Sequence, residues 1–300
     1  MKATLKHLLF RYAPEFLLKK AQNINRVLRR HRLKNRQQSG GYTRENLVRD
    51  LRNIGASEGD TLLVHSSLGK IGYVEGGAVT VIEALLEVLG PKGTLAMPSF
   101  PAAGRNRDYL EGNPVFDVLN TPSAMGVITE TFRKMPGVER SLHPTDPVCA
   151  LGPLAAYLTG THFGQPTPYN EHSPFRKLAE CGGMILMLGT TLNGACTSLH
   201  ILEDAVDFPY PVYDPKKYDT EVIDAEGTHR KMKTKVHNPA WSAKRNCDLL
   251  KPAFEDACIL TNGKIGEAAS MLIDAEGLFK TMLDAFHRRG VTMYTPRGKR

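Results

Sequence analysis

The chain has 300 residues, 41% of them hydrophobic, with 39 Lys or Arg against 31 Asp or Glu. That length and apolar content suit an ordinary globular chain with a sizeable core, in one large domain or two smaller ones. The formal charge of +8 is concentrated: residues 1–38 hold eleven bases against one acid, Glu15, while the remaining 262 residues hold 28 bases against 30 acids. The body therefore lacks the electrostatic footprint of a nucleic-acid binder.

Five cysteines, Cys149, Cys181, Cys196, Cys247 and Cys258, form no CxxC pair or finger spacing. An odd count with no secretory signal argues against a disulfide framework and points to a reducing cytoplasm. The basic arm mixes apolar residues such as Leu8, Leu9, Phe10, Leu17 and Leu18 with its lysines and arginines. Its apolar runs are too short to cross a bilayer. That leaves a helix lying on anionic lipid, split at Pro14, or a solvated leader docked on the body or on a second subunit. Ser39-Gly40-Gly41 reads as the linker, so an arm over 1–41 and a folded body over 42–300 are expected.

Beyond the linker, Thr43 caps an amphipathic helix that ends at Gly55. Residues 61–68 (TLLVHSSL) read as a buried strand with a polar exit at His65-Ser66-Ser67. Gly76-Gly77 then opens a helix over 78–89, where glycine lets backbone N–H groups approach an anion and the helix dipole favours a phosphate. Without GxGxxG or GxxxxGK[ST] around it, the same pair reads equally as a tight turn. A strand at 93–100 and a helix at 123–135 precede a proline-fixed turn at 141–147, with His143 at its centre. A loop at 162–174 leads to a helix at 175–180. Past residue 209, strands at 221–223 and 231–236 flank a turn at 224–227. Segments 249–257, 264–272 and 274–288 carry a helical period, and 294–300 read as a mobile tail.

Residues 182–207 (GGMILMLGTTLNGACTSLHILEDAVD) hold the strongest candidate site. An apolar run at 184–188, bracketed by glycines, reads as a strand buried on both faces. A polar loop then leads to a helix capped by Thr197 or Ser198, on which His200, Glu203, Asp204 and Asp207 recur at i, i+3, i+4 and i+7 and share one face. In open α/β sheets ligands bind at the carboxyl ends of the strands, where such a unit places its first helical turn. A solvated helix face carries His and Glu at the same spacing. Cys196, four residues before His200, offers a thiol-nucleophile alternative. HExxH is absent and no third ligand is evident, so no metal is expected.

The segments VHSSLGKIGYVEGGAVTVIEAL (64–85), GTLAMPSFP (93–101), MGVITETFRKMPGVERSLHPTDPVCALGPLA (125–155), HSPFRKL (172–178) and MLGTTLNGACTSLHILED (187–204) resemble, in order, successive blocks of the aminoglycoside 3-N-acetyltransferases. The resemblance implies an α/β fold distinct from the common acetyltransferase superfold: an open mixed sheet flanked by helices in three layers, with a small β-rich insertion. It implies acetyl-coenzyme A as co-substrate and transfer to an amine of an aminoglycoside or related amino sugar. On the T-x-x-H-x-x-E block it places the catalytic histidine at His200, with Thr197 and Glu203 beside it. The H-S-S-L block (His65, Ser66, Ser67) and the S-P-F block (Ser173, Phe175) resemble segments lining the coenzyme cleft, which Gly76 and Gly77 join as candidate anion contacts. Asp146 stands where many relatives have Ser.

The chemistry of the site supports the same reading. Acyl transfer to an amine needs a base near neutrality and donors for an oxyanion, and histidine supplies that base. Glu203 would orient its tautomer, and Thr197 or a loop N–H would receive the oxyanion. Glu203, Asp204 and Asp207, with Asp214 beyond, would form a negative wall suited to a cationic amine, and His143 is a further acceptor candidate. Lys70, Arg176 and Lys177 are the bases near the motifs for coenzyme phosphates. Two alternatives stay open: acyl transfer to a nucleotide- or lipid-linked amino sugar for a surface polysaccharide, and a noncatalytic coenzyme-binding or membrane-associated scaffold. Expected partners are the amino-sugar acceptor, an anionic membrane through residues 1–38 and a second copy of the chain, with no nucleic acid.

Overall fold

A computed structural model describes residues 40–294. The basic arm, the membrane reading attached to it and the tail at 295–300 lie outside the described residues. The chain divides into units at 1–42 and 43–300, and the second carries both sheets. No helix among the described residues is long and apolar enough to cross a membrane.

Helix α1 (Arg44–Ile54) begins where Thr43 and Asn46 form a reciprocal capping box and ends at Gly55, whose φ of 112° only glycine adopts freely. Its stripe Leu47, Val48, Leu51 and Ile54 is buried. Helix α2 (Ala78–Leu89) packs against it. The main sheet contains β1 (Thr61–Ser66), β2 (Thr94–Pro98), β4 (Glu139–Arg140), β5 (Val148–Leu151), β6 (Met184–Leu188), β9 (Leu260–Ile265) and β10 (Ala268–Asp274), in the order β4-β5-β2-β1-β6-β10-β9. β2, β1 and β6 run parallel at its centre, and the outer pairings are antiparallel. A separate sheet of β3 (Val115–Asp117), β7 (Tyr218–Ile223) and β8 (His229–Thr234) is the β-rich insertion.

Alternation along the central strands sends Leu63, Ala96, Ile185, Met187 and Ile273 into a core shared with α4 (Pro174–Glu180) and α6 (Ala275–Arg289). α1 and α2 cover the other face, giving the three layers. Helix α3 (Val127–Arg133) is shorter than the expected 123–135: Gly126 turns the chain at φ 108°, and the Ser123 N–H is held instead by the Glu130 carboxylate at 2.8 Å. The larger correction is at 264–272. The expected helix is an antiparallel hairpin, β9 and β10, turning at Gly266 with φ 56°. β10 pairs on both edges, with β6 and β9, and those ladders outweigh a weak helical period in a short apolar run.

At the centre, β1 lies between β2 and β6, so connections leave it in both directions. That is the switch point at which open α/β sheets hold ligands. The carboxyl ends of β1 and β6 meet there, with the Ser67 N–H donating to the Leu188 carbonyl at 3.0 Å.

Candidate active site

After β6, Gly189 turns the chain at φ 70°; a Cβ there would come within 2.7 Å of Lys70 and 3.2 Å of Ala268. Thr191 caps one helical turn, Leu192–Ala195, and a 3-10 turn, Thr197–His200, follows before α5 (Ile201–Ala205). Thr197 and His200 thus stand at the sheet edge. His200 is 4% exposed and Glu203 4% exposed, so the solvated helix-face reading does not hold.

The His200 Nδ1–H donates to Glu203 Oε1 at 2.7 Å, and the His237 Nε2–H donates to Oε2 at 2.7 Å. Tyr294 donates its hydroxyl to Oε1 as well. Burial alone would raise the Glu203 pKa, but His200 and His237 outweigh it and hold the carboxyl well below the usual range. The His200 ring stacks on Tyr169 at 4.8 Å and lies 4.4 Å from the His237 ring. Tyr169 in turn donates to Asp146 Oδ1 at 2.8 Å, while Asn106 donates to Oδ2 at 3.0 Å. The remaining nitrogen of the base, Nε2, accepts from the Arg245 guanidinium at 2.6 Å. Burial first, then His237 and Arg245, push the His200 pKa down to about 4 against the pull of Glu203.

Three cavities meet at Thr197. One of about 510 Å³ is lined by Arg105, Asn106, Asp146, Tyr169, His200 and Arg245, among others. A second, of about 180 Å³, runs along Val64, His65, Ser66, Pro98, Phe100 and Met125. The third, of about 280 Å³, follows the Leu192–Cys196 loop to His200, Arg245 and Cys247. Two buried polar atoms on these walls, His65 Nε2 and Thr197 Oγ1, have no hydrogen-bond partner among the described residues. Both atoms are open to a hydrogen bond from a water or a bound polar group.

The other expected positions fall elsewhere, and none of them lines these cavities. Ser67, Gly76 and Gly77 occupy turns: Ser67 precedes the short helix Leu68–Ile71, and both glycines have positive φ ahead of α2. Ser173 caps α4, accepting the Arg176 N–H, and Phe175 is fully buried behind Phe100 and Tyr169. Both support cleft walls from behind. His143 is fully buried, stacked on His162 at 4.5 Å, with Nδ1 facing the Thr145 and Asp146 N–H groups.

The negative wall does not form. Glu203 sits behind the base and Asp204 is held by Tyr213 at 2.9 Å, with burial raising its pKa to about 6. Helix α5 ends at Ala205, so Asp207 is outside it and exposed, and Asp214 pairs with Arg107. Arg176 and Lys177 are committed internally, to Glu180 and to the Tyr157 carbonyl. Burial pushes the Cys196 thiol far above its ordinary pKa and Cys247 to about 12, which removes the thiolate a nucleophile needs. His200, Glu203 and His237 bring donors within 4.8 Å of one another, a spacing that could hold a metal ion. Both histidine contacts are at hydrogen-bond length to the carboxylate, and a guanidinium lies on Nε2, so the cluster is complete as a hydrogen-bonded network.

Four buried histidines make the fold acid-sensitive. Burial lowers His65 and His162 to about 3, His200 to about 4 and His143 well below its ordinary value. Each is depressed in the folded chain, so its contribution is intact above the unfolded pKa near 6.5 and is lost as pH falls toward the folded value. Between pH 7.5 and 5 the cost is about 1–2 kcal/mol per histidine. Denaturant midpoints across that range should fall steeply, and a flat profile would contradict the burial of these rings in neutral form.

Known proteins resemble this chain in sequence and in fold. The sequence profile of the family described as aminoglycoside 3-N-acetyltransferase matches residues 63–287. The aminoglycoside N(3)-acetyltransferase VIII of Streptomyces fradiae is 36% identical over 184 residues, which are 57% of this chain and 63% of that protein. This chain therefore spans somewhat less than two thirds of that curated relative's length. Among solved structures, AAC-IIIb with CoASH aligns with a TM-score of 0.71 at 28% identity, over 83% of this chain and 98% of that one. AAC-VIa bound to sisomicin aligns with a TM-score of 0.69 at 26% identity, over 83% and 99%. With the profile spanning three quarters of the sequence and the T-x-x-H-x-x-E block at the switch point of the sheet, the chain belongs to the aminoglycoside 3-N-acetyltransferase family.

Proposed function

We propose that this protein transfers the acetyl group of acetyl-coenzyme A to an amine of an aminoglycoside or related amino sugar, with His200 as general base. The observation that carries the reading is the buried His200 and Glu203 pair, opening through Thr197 onto three connected cavities. Glu203 fixes the proton of His200 on Nδ1, which leaves the Nε2 lone pair to take a proton from the attacking amine. Transfer then forms the amide bond and releases the coenzyme as its thiol.

Thr197 Oγ1, buried and without a hydrogen-bond partner among the described residues, would donate to the oxygen that gains charge at the thioester carbonyl. His65 and Ser66 line the narrower cavity, whose mixed apolar wall suits the arm that carries the thioester. The wide cavity is left for the acceptor. Among solved relatives, one structure holds CoASH and another holds sisomicin, which supports both ligand classes for this fold.

The test is thiol release from acetyl-coenzyme A by the full chain, across gentamicin, apramycin, sisomicin and a set of aminodeoxy sugars. Release that depends on an acceptor is expected. A rate no faster with any acceptor than without one would end the transfer reading.

A further inference from the structure

The attacking amine must come within hydrogen-bond reach of His200 Nε2. That position is taken. Arg245 holds its guanidinium 2.6 Å from Nε2, so the lone pair that would accept the proton is capped by a cation. The cap is on a half-buried side chain next to the exposed Lys244, in the segment after the short helix Pro239–Ser242. The Asn246 N–H is fixed to the Met293 carbonyl and the Cys247 N–H to Asn193. The backbone is thus anchored on both sides of Arg245, and the long side chain, held by His200 and by a 3.4 Å contact from Nε to the Ser242 carbonyl, is the part that can turn away about its own bonds.

The rest of the cleft has the same sign. Arg105, exposed and without a carboxylate partner among the described residues, lines the wide cavity together with Arg245. Its one carboxylate, Asp146, is 2% exposed, and both of its oxygens already accept hydrogen bonds, from Tyr169 and Asn106. Glu203 faces away from the cleft behind His200, and Asp204, Asp207 and Asp214 do not line it. A polycation entering here meets two guanidinium groups and, of carboxylates, only the nearly buried Asp146, and like charges at short range repel.

We infer that the preferred acceptor carries an anionic group, a phosphate or carboxylate, beside its reactive amine, and that Arg245 leaves His200 to bind that group. The guanidinium fork matches such an anion in a bidentate way. One movement then does two things: it clamps the acceptor and it frees Nε2 opposite the amine. Arg245 is on this account a specificity-determining residue, and it selects amino sugars with a negative substituent over polycationic aminoglycosides. The inference rests on the proposed transfer at His200 and narrows its acceptor.

The experiment uses the full chain, wild-type and with Arg245→Gln or Arg245→Lys, and three probes: glucosamine 1-phosphate, glucosamine and gentamicin. Both kcat/KM with acetyl-coenzyme A and direct binding by calorimetry are measured. Loss of a hydrogen-bonded charge pair corresponds to about a 10–100-fold change. The wild-type preference for the phosphate sugar over glucosamine should therefore fall by about 10–100-fold in R245Q and be partly restored in R245K, while gentamicin improves relative to both sugars in R245Q. A ratio between probes is unaffected by loss of folded protein. Equal preference in wild-type and R245Q would overturn the inference. So would a raised KM for acetyl-coenzyme A with the acceptor ratio unchanged, since the guanidinium would then serve the phosphates of the coenzyme. If the binding ratio changes as expected but no probe is acetylated, the acceptor selection stands and the transfer reading fails.

Discussion

Replacing His200 with alanine is expected to lower kcat by about 10²–10⁴-fold, the usual worth of a positioned general base, with acetyl-coenzyme A still bound at near wild-type affinity. The split follows from where the ring sits. His200 closes the cleft through Nε2 and touches Glu203 through Nδ1, whereas the narrower cavity assigned to the thioester arm is lined by His65, Ser66 and Phe100 and does not include it. The deletion also has a structural cost, because the buried Glu203 carboxylate keeps two donors, His237 and Tyr294, in place of three. Activity is therefore read per folded molecule, with thermal unfolding measured alongside. Retention of most of the acceptor-dependent thiol release in His200→Ala would show that another group takes the proton.

Much of this site is local in sequence, and those parts were legible there. The glycine-bracketed run at 184–188 became β6 with unchanged bounds because a strand paired on both edges at the centre of a sheet must be apolar throughout. His200 and Glu203 meet, and Thr197 stands on the same side, because residues three apart on a helical turn are neighbours whether the turn is 3-10 or α. What spacing cannot reveal is the company they keep. Glu203 is reached by His237 and Tyr294, 34 and 91 residues further on, and Arg245 lies 45 residues beyond His200.

No local pattern encodes such contacts. Tyr294, placed at the start of a mobile tail by its position near the terminus, is 1% exposed and serves the central carboxylate. The negative wall failed for a related reason. A helical projection of Asp204 and Asp207 assumes a helix that continues, but Val206 is extended and α5 is only one turn long. The hairpin at 260–274 was hidden because a short apolar run fits either period, and its partner strand β6 lies more than seventy residues upstream.

Glu203→Gln is expected to lower kcat by about 10³–10⁴-fold, the scale seen when a catalytic histidine is left in the wrong tautomer, and to destabilise the fold by about 3 kcal/mol at pH 7 as a buried charged network is broken. The carboxylate accepts from three donors, His200 Nδ1, His237 Nε2 and the Tyr294 hydroxyl. A glutamine is isosteric but presents one oxygen and one NH2 group, so one histidine must turn an unprotonated nitrogen toward it. If that is His200, the proton moves to Nε2 and the base faces the amine as a donor. The pH dependence separates this from simple misfolding. Glu203 is held below the usual carboxylate range, so its contribution is present above the unfolded value near 4.3 and is lost as pH falls below it. The glutamine variant has no such term. The stability gap between wild-type and variant should therefore narrow as pH falls from 7 to below 4, in denaturant unfolding of both proteins, while His65, His143 and His162, which do not touch Glu203, lower both curves in parallel. A gap that stays constant or widens on acidification would mean that Glu203 is not the ionised centre of the network, and the tautomer argument for its loss of activity would fall with it.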